Sequence, residues 1–64
     1  MKYYSPERTY RFEVHGSGPV FCTDNWFEAV EVALFRSKYS RWTVTLIDIE
    51  TDEVTKYRQG YQIL

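Results

Sequence analysis

Four groups of residues are of the types that could carry chemistry. His15 is the only histidine. A general base needs a group to orient it, and only Glu13, two positions upstream in an alternating segment, shares its face. With no second histidine and no cysteine close by in sequence, His15 has no metal-ligand pattern and reads as a surface histidine. Cys22 is the sole cysteine. It stands just before an expected helix start, where the helix dipole favours a thiolate. No His or Asn companion completes a nucleophilic pair, so it reads as a small apolar residue closing a core. Asp48, Glu50, Asp52 and Glu53 gather negative charge in one short stretch. Their spacing resembles the start of a calcium loop. However, Glu53 replaces the turn glycine and Gln59 replaces the final bidentate Glu. The stretch reads as a solvated acidic turn. Arg36, Lys38 and Arg41 alternate with Tyr39 and Trp42, a mixture that can hold phosphates and stack bases. Cations at a helix C-terminus are also ordinary compensation of the helix dipole.

Nothing else supplies a reaction. Gly16-Ser17-Gly18-Pro19 has no Lys-Ser/Thr after it and cradles no phosphate. There is no triad and no carboxylate pair. The expectation is a non-enzymatic chain that takes no cofactor, metal or small-molecule substrate.

Length bounds the rest. Sixty-four residues make one small domain, expected over residues 1–64. A chain this short buries only about 60% of its unfolded surface. Its core is worth ~3–5 kcal/mol, and a single cysteine offers no internal disulfide to reinforce it. No apolar run approaches the ~18 residues of a membrane span, and Met1-Lys2-Tyr3-Tyr4-Ser5-Pro6 has no signal-peptide core. These features predict a cytoplasmic protein without membrane contact. The formal net charge of −1 lacks the basic excess of a nucleic-acid binder, so nucleic acid is not the expected partner. Aromatic residues are 19% of the chain and six of them are Tyr, a residue suited to interfaces.

The one helix expected lies in Thr23–Tyr39. Thr23 is the candidate N-cap, Asp24 suits the positive end of the dipole, and Arg36 and Lys38 suit the negative end. Residues 26–38 contain no Gly or Pro. At ~100° per residue, Trp26, Val30, Ala33 and Ser37 fall on one line, flanked by Phe27, Ala29 and Leu34. This is the expected core stripe. Glu28, Val32, Phe35 and Tyr39 form a second line on roughly the opposite side, where a surface helix carries polar residues. Three aligned apolar side chains, two of them aromatic, suggest a contact surface.

The remaining segments read as strands. In Thr9–His15, Tyr10, Phe12 and Val14 alternate with Arg11, Glu13 and His15. A turn follows at residues 16–19 and then a short strand at Val20-Phe21-Cys22, with Pro19 marking an edge. Trp42–Ile49 is the strongest strand, with Trp42, Val44 and Leu46 assigned to the helix side and Thr43, Thr45, Ile47 and Ile49 to the other. Glu50–Glu53 is a hairpin tip, and Val54–Gln59 returns. Gly60 marks a bulge or bend, and Tyr61–Leu64 extends that strand. Residues 1–8 are expected to form an N-terminal arm. The fold class is therefore α+β: a three- to four-stranded antiparallel sheet with one helix on one face, in the order β-(β)-α-β-β. The open face of that sheet should carry Arg11, Glu13, His15, Thr43, Thr45, Ile47 and Ile49. The hairpin register decides whether Lys56 and Arg58 join them.

Phe12-Glu13-Val14, Thr23 ahead of Glu28-Ala29-Val30-Glu31-Val32-Ala33, Tyr39, and Trp42-Thr43-Val44-Thr45 resemble the pattern of the small RNA-polymerase-inhibiting proteins of T7-like phages. The resemblance covers roughly half the chain. It implies a β-α-β-β fold and a small viral or mobile-element protein that binds, and inhibits or modulates, a larger host protein. No binding residue is carried over from it. The chain departs from that pattern in its longer acidic hairpin, its Gly-Pro turn and its basic helix end.

The functional expectation is a protein-interaction module acting on a larger protein or on a second copy of itself. Its contact stripe would be Val32, Phe35 and Tyr39, with Glu28 and Arg36 at the rim. The alternatives are a self-associating domain of other function and a weak single-stranded nucleic-acid binder using Arg36, Lys38, Tyr39, Arg41 and Trp42.

Overall fold

The computed structural model describes residues 10–64. The arm expected at residues 1–8 lies outside them. Its elements are β1 (Phe12–His15), β2 (Phe21–Thr23), α1 (Trp26–Lys38), β3 (Val44–Asp48), β4 (Glu53–Arg58) and β5 (Tyr61–Gln62). They form an antiparallel sheet in the order β2-β1-β3-β4-β5, with α1 packed against one face, an α+β fold. β1 pairs antiparallel with both β2 and β3, so β2 and β3 run the same way. Strands that run the same way cannot be joined by a tight turn, and α1 is the crossover that joins them.

Alternation decides which side chains meet the helix. Phe12, Val14, Val44, Leu46 and Tyr57 lie on the helix face and are buried with Ala29 and Ala33 of α1. Burial pushes the Tyr57 phenol above its ordinary pKa. Phe21, Val30, Val32 and Leu34 pack against this cluster at its margins. The other face carries Cys22, Glu13, Thr45, Ile47, Val54 and Lys56. The register sets Thr45 opposite Lys56 and Ile47 opposite Val54, so Lys56 and Arg58 do join the open face.

The helix approaches the sheet through its smallest residues. Ala29, Ala33 and Ser37 are fully buried, whereas Trp26 is 44% exposed and Phe27 81% exposed. The buried line is thus rolled by roughly 30°, at 100° per residue, from the line of Trp26, Val30, Ala33 and Ser37. The roll brings Val32 and Arg36 inward and turns Phe27 out. Trp26 keeps an edge-on contact with Phe12, with ring centroids 5.4 Å apart. The buried Ser37 hydroxyl donates to the Leu34 carbonyl (2.9 Å) and accepts from the Gly60 N–H (3.0 Å). It ties the helix end to the β4–β5 turn.

Several local expectations are corrected. Asn25, not Thr23, is the N-cap, its side chain accepting from the Glu28 N–H at 3.1 Å. Thr23 ends β2, where its hydroxyl donates to the Glu28 carboxylate and accepts from the Asn25 N–H. β3 begins at Val44, and Trp42 stands outside it, 69% exposed. Gln59 and Gly60 both have positive φ, 51° and 84°, the signature of a two-residue type I′ hairpin turn. Tyr61–Gln62 therefore folds back on β4 as a fifth strand instead of extending it. Asp52, in the tip of the β3–β4 hairpin, also has positive φ, 64°.

Arg11 does not join the open face. Its guanidinium grips Asp48 at 3.3 and 3.2 Å and lies 3.5 Å from Glu50. Asp48 is therefore a buried structural carboxylate and not part of a solvated acidic tip. The hydrogen bond from Arg11 holds its carboxyl below the usual range, and backbone N–H groups of Glu50 and Thr51 add to this. A carboxyl whose folded pKa is depressed stabilises the fold above its unfolded value and loses that contribution as pH falls through the folded value. The loss should begin near the ordinary value of 3.8 and be complete only in stronger acid. Thermal melts of wild type and Asp48→Asn should therefore differ at about pH 7 and converge at about pH 2. Curves separated by the same interval at both pH values would contradict this role.

Candidate functional site

The outward line of α1 ends beside the β1–β2 loop, where Ser17, Glu31, Val32, Phe35 and Arg36 line an open groove of about 550 Å³. Phe35 and Tyr39 lie one turn apart on the helix, with ring centroids 4.9 Å apart. They are 65% and 74% exposed. Val32 is half-buried and packs against the core, so it forms the groove's inner wall. The Arg36 guanidinium donates to the Pro19 carbonyl at 2.7 Å and the Gly16 carbonyl at 3.3 Å. These bonds fasten the loop to the helix and fix the groove's shape.

The expected stripe is thus partly assembled. Val32, Phe35 and Arg36 meet in one groove, and Tyr39 extends it through its contact with Phe35. Glu28 does not rim it: it sits at the helix start, its carboxylate bonded to Thr23 and its N–H to Asn25. Sequence spacing missed Ser17 and the role of Arg36, because both depend on where the loop comes to rest. Of the residues expected to hold nucleic acid, Arg36 is engaged with the loop, while Lys38, Arg41 and Trp42 remain exposed around the helix C-terminus.

The groups read for chemistry are differently placed. His15 is not a simple surface histidine: its Nε2 lies 2.9 Å from Glu13 Oε1, and the Glu13 side chain is only 8% exposed. Cys22 stands opposite Glu13 in the β1–β2 register, on the open face and away from the core it was expected to close. Burial, and then the Glu13 charge, push the Cys22 thiol above its ordinary pKa. The thiolate is the reactive form, so this environment works against nucleophilic use despite the nearby helix start. A second hollow is lined by Tyr10, Phe21, Cys22, Thr23, Asp24, Asn25 and Glu28. Among the described residues, no three His, Cys, Asp or Glu side chains are grouped to hold a metal, and no helix is long and apolar enough to cross a membrane. No protein-family model, curated protein or solved structure matches this chain.

Proposed function

We propose that this chain is a non-enzymatic protein-interaction module that occupies a surface of a larger protein through the groove around Phe35. The observation that carries the reading is the exposed Phe35–Tyr39 pair beside a groove whose shape Arg36 fixes. Exposed aromatic residues next to a preformed hollow have the makeup of interface anchors, and a fixed groove loses little conformational entropy on binding. The groove has Glu31 on one side and the loop serine on the other, so a partner would seat an apolar side chain against Val32 and Phe35 within a polar rim. The resemblance to small phage proteins that inhibit a host polymerase supports the same kind of action, inhibition or modulation by binding.

Phe35→Glu tests it. The helix should form as before, because Glu is a good helix former and the position faces outward. A protein captured from a lysate of the source organism by wild type should be lost with this variant, while both give the same circular dichroism spectrum. Equal capture by both, or an unfolded variant, would mean that Phe35 does not serve as an anchor.

A further inference from the structure

The fold sorts the charges by position. Arg11 is committed to Asp48 and Glu50, and Arg36 to the β1–β2 loop. The other four cations of the described residues are Lys38, Arg41, Lys56 and Arg58. The register places them toward one end of the molecule. Val44, where β3 starts, pairs with Tyr57, so Arg41 and Trp42 enter beside the end of β4 that carries Arg58. Arg58 pairs with Tyr61. The Gly60 N–H is bonded to Ser37 of the last helical turn, and the Lys38 side chain passes over Gly60. The same register sends Asp48, Glu50, Asp52 and Glu53 to the opposite end, where Thr23 and Asp48 flank Phe12 on either side and Asp24 and Glu28 begin the helix. The near-balanced net charge of −1 over the whole chain therefore conceals this separation among the described residues.

The basic pole also carries flat apolar rings. Trp42 and Tyr61 are 69% and 75% exposed, and Tyr61 shares the open face with Lys56 and Arg58. We infer that this pole binds single-stranded nucleic acid, with Lys38, Arg41, Lys56 and Arg58 on the phosphates and Trp42 and Tyr61 stacked on bases. Cations would suffice for any acidic partner. The exposed rings favour a single strand, which offers unpaired bases as well as phosphates, whereas a duplex keeps its base faces covered. None of these six residues lines the groove around Phe35, so neither proposal rests on the other.

The test is fluorescence anisotropy of labelled oligo-dT titrated with the protein over a range of salt concentrations. Wild type should bind at low salt, with log affinity falling against log salt at a slope of about −2.8, from ~0.7 for each of four phosphates. The double variant Lys56→Gln/Arg58→Gln should bind about tenfold more weakly, with a slope shallower by about 1.4. Trp42→Ala should also bind about tenfold more weakly, but with an unchanged slope. Its thermal melt should match wild type, because Trp42 lies outside the strand and outside the core. No binding at low salt would overturn the proposal. So would Trp42→Ala binding as wild type does, a duplex binding as tightly as the single strand, or polyglutamate competing as well as unlabelled oligo-dT.

Discussion

Leu46→Ala should remove most of the stability of this domain. Leu46 is 1% exposed and lies in β3, which has a strand paired on each side. Val14 and Thr55 are its register partners, and it belongs to the core cluster that meets α1. Truncating a buried leucine costs about 2–5 kcal/mol, through lost transfer energy and the cavity left behind. A chain of this length has ~3–5 kcal/mol available from its core, so urea denaturation should find the variant largely unfolded near room temperature. The adjacent Ile47 lies on the open face and is only half-buried. Ile47→Ala should leave a folded protein with a cooperative transition. Equal losses at 46 and 47 would contradict the assignment of faces.

Gly16→Ala should be the next most damaging change, although it adds a single methyl group. Gly16 has φ +108°, where side chains of L-residues are strained by about 1–2 kcal/mol. The new Cβ would also lie 2.9 Å from the Thr43 carbonyl oxygen. That neighbour is backbone leading directly into β3, so it cannot swing aside as a side chain could. A loss of about 2 kcal/mol or more is expected, which lowers the melting temperature of so small a domain by about 8–16 °C. Gly18→Ala is the control. Its φ is also positive, +141°, but the atoms nearest a new Cβ belong to the Arg36 guanidinium, at 3.7 Å and beyond. Differential scanning calorimetry should show the smaller loss at Gly18. The reverse order would mean that the β1–β2 loop does not approach Thr43 as described.

The fold was legible wherever a single periodicity governed a segment. Phe12 and Val14, and Val44 and Leu46, alternate with polar or open-face neighbours, and each pair went to the face expected. The α+β class and the helix-on-sheet arrangement follow from that pattern together with one uninterrupted helical stretch. Helical spacing put Ala33 and Ser37 on the core line with Ala29 beside it, as found, but it also put Trp26 on that line and Phe27 at its flank, and both are exposed. Trp26 and Phe27 outweigh Ala29 and Ser37 in apolar character, but close approach to a sheet selects small side chains, and the helix rolled toward them. The β4–β5 turn was missed because Gln is an unusual companion for Gly at positive φ, where Asn or Asp is the common signal.

The candidate site was legible in part for the same reason. Helical spacing placed Phe35 and Tyr39 together without knowledge of the rest of the fold. It could not show that Arg36 would be drawn to the carbonyls of a distant loop, or that Glu28 would be held by Thr23. Those partners are 17 to 20 positions away for Arg36, and for Glu28 the partner lies at the end of β2. The pairing of Glu13 with His15 was suggested by their shared face, but the burial of that carboxylate was not. The basic pole depends on the hairpin register and on the β4–β5 turn, so summed charge concealed it.

The solution mass tests the central proposal most directly, because an open groove awaiting a different protein leaves the chain alone in solution. Light scattering across a dilution series should give 7.7 kDa at every concentration, for wild type and for Phe35→Glu alike. A stable species of twice that mass, returned to the monomer by Phe35→Glu, would contradict the account. It would show that the Phe35 groove is filled by a second copy of this chain and not by a larger partner.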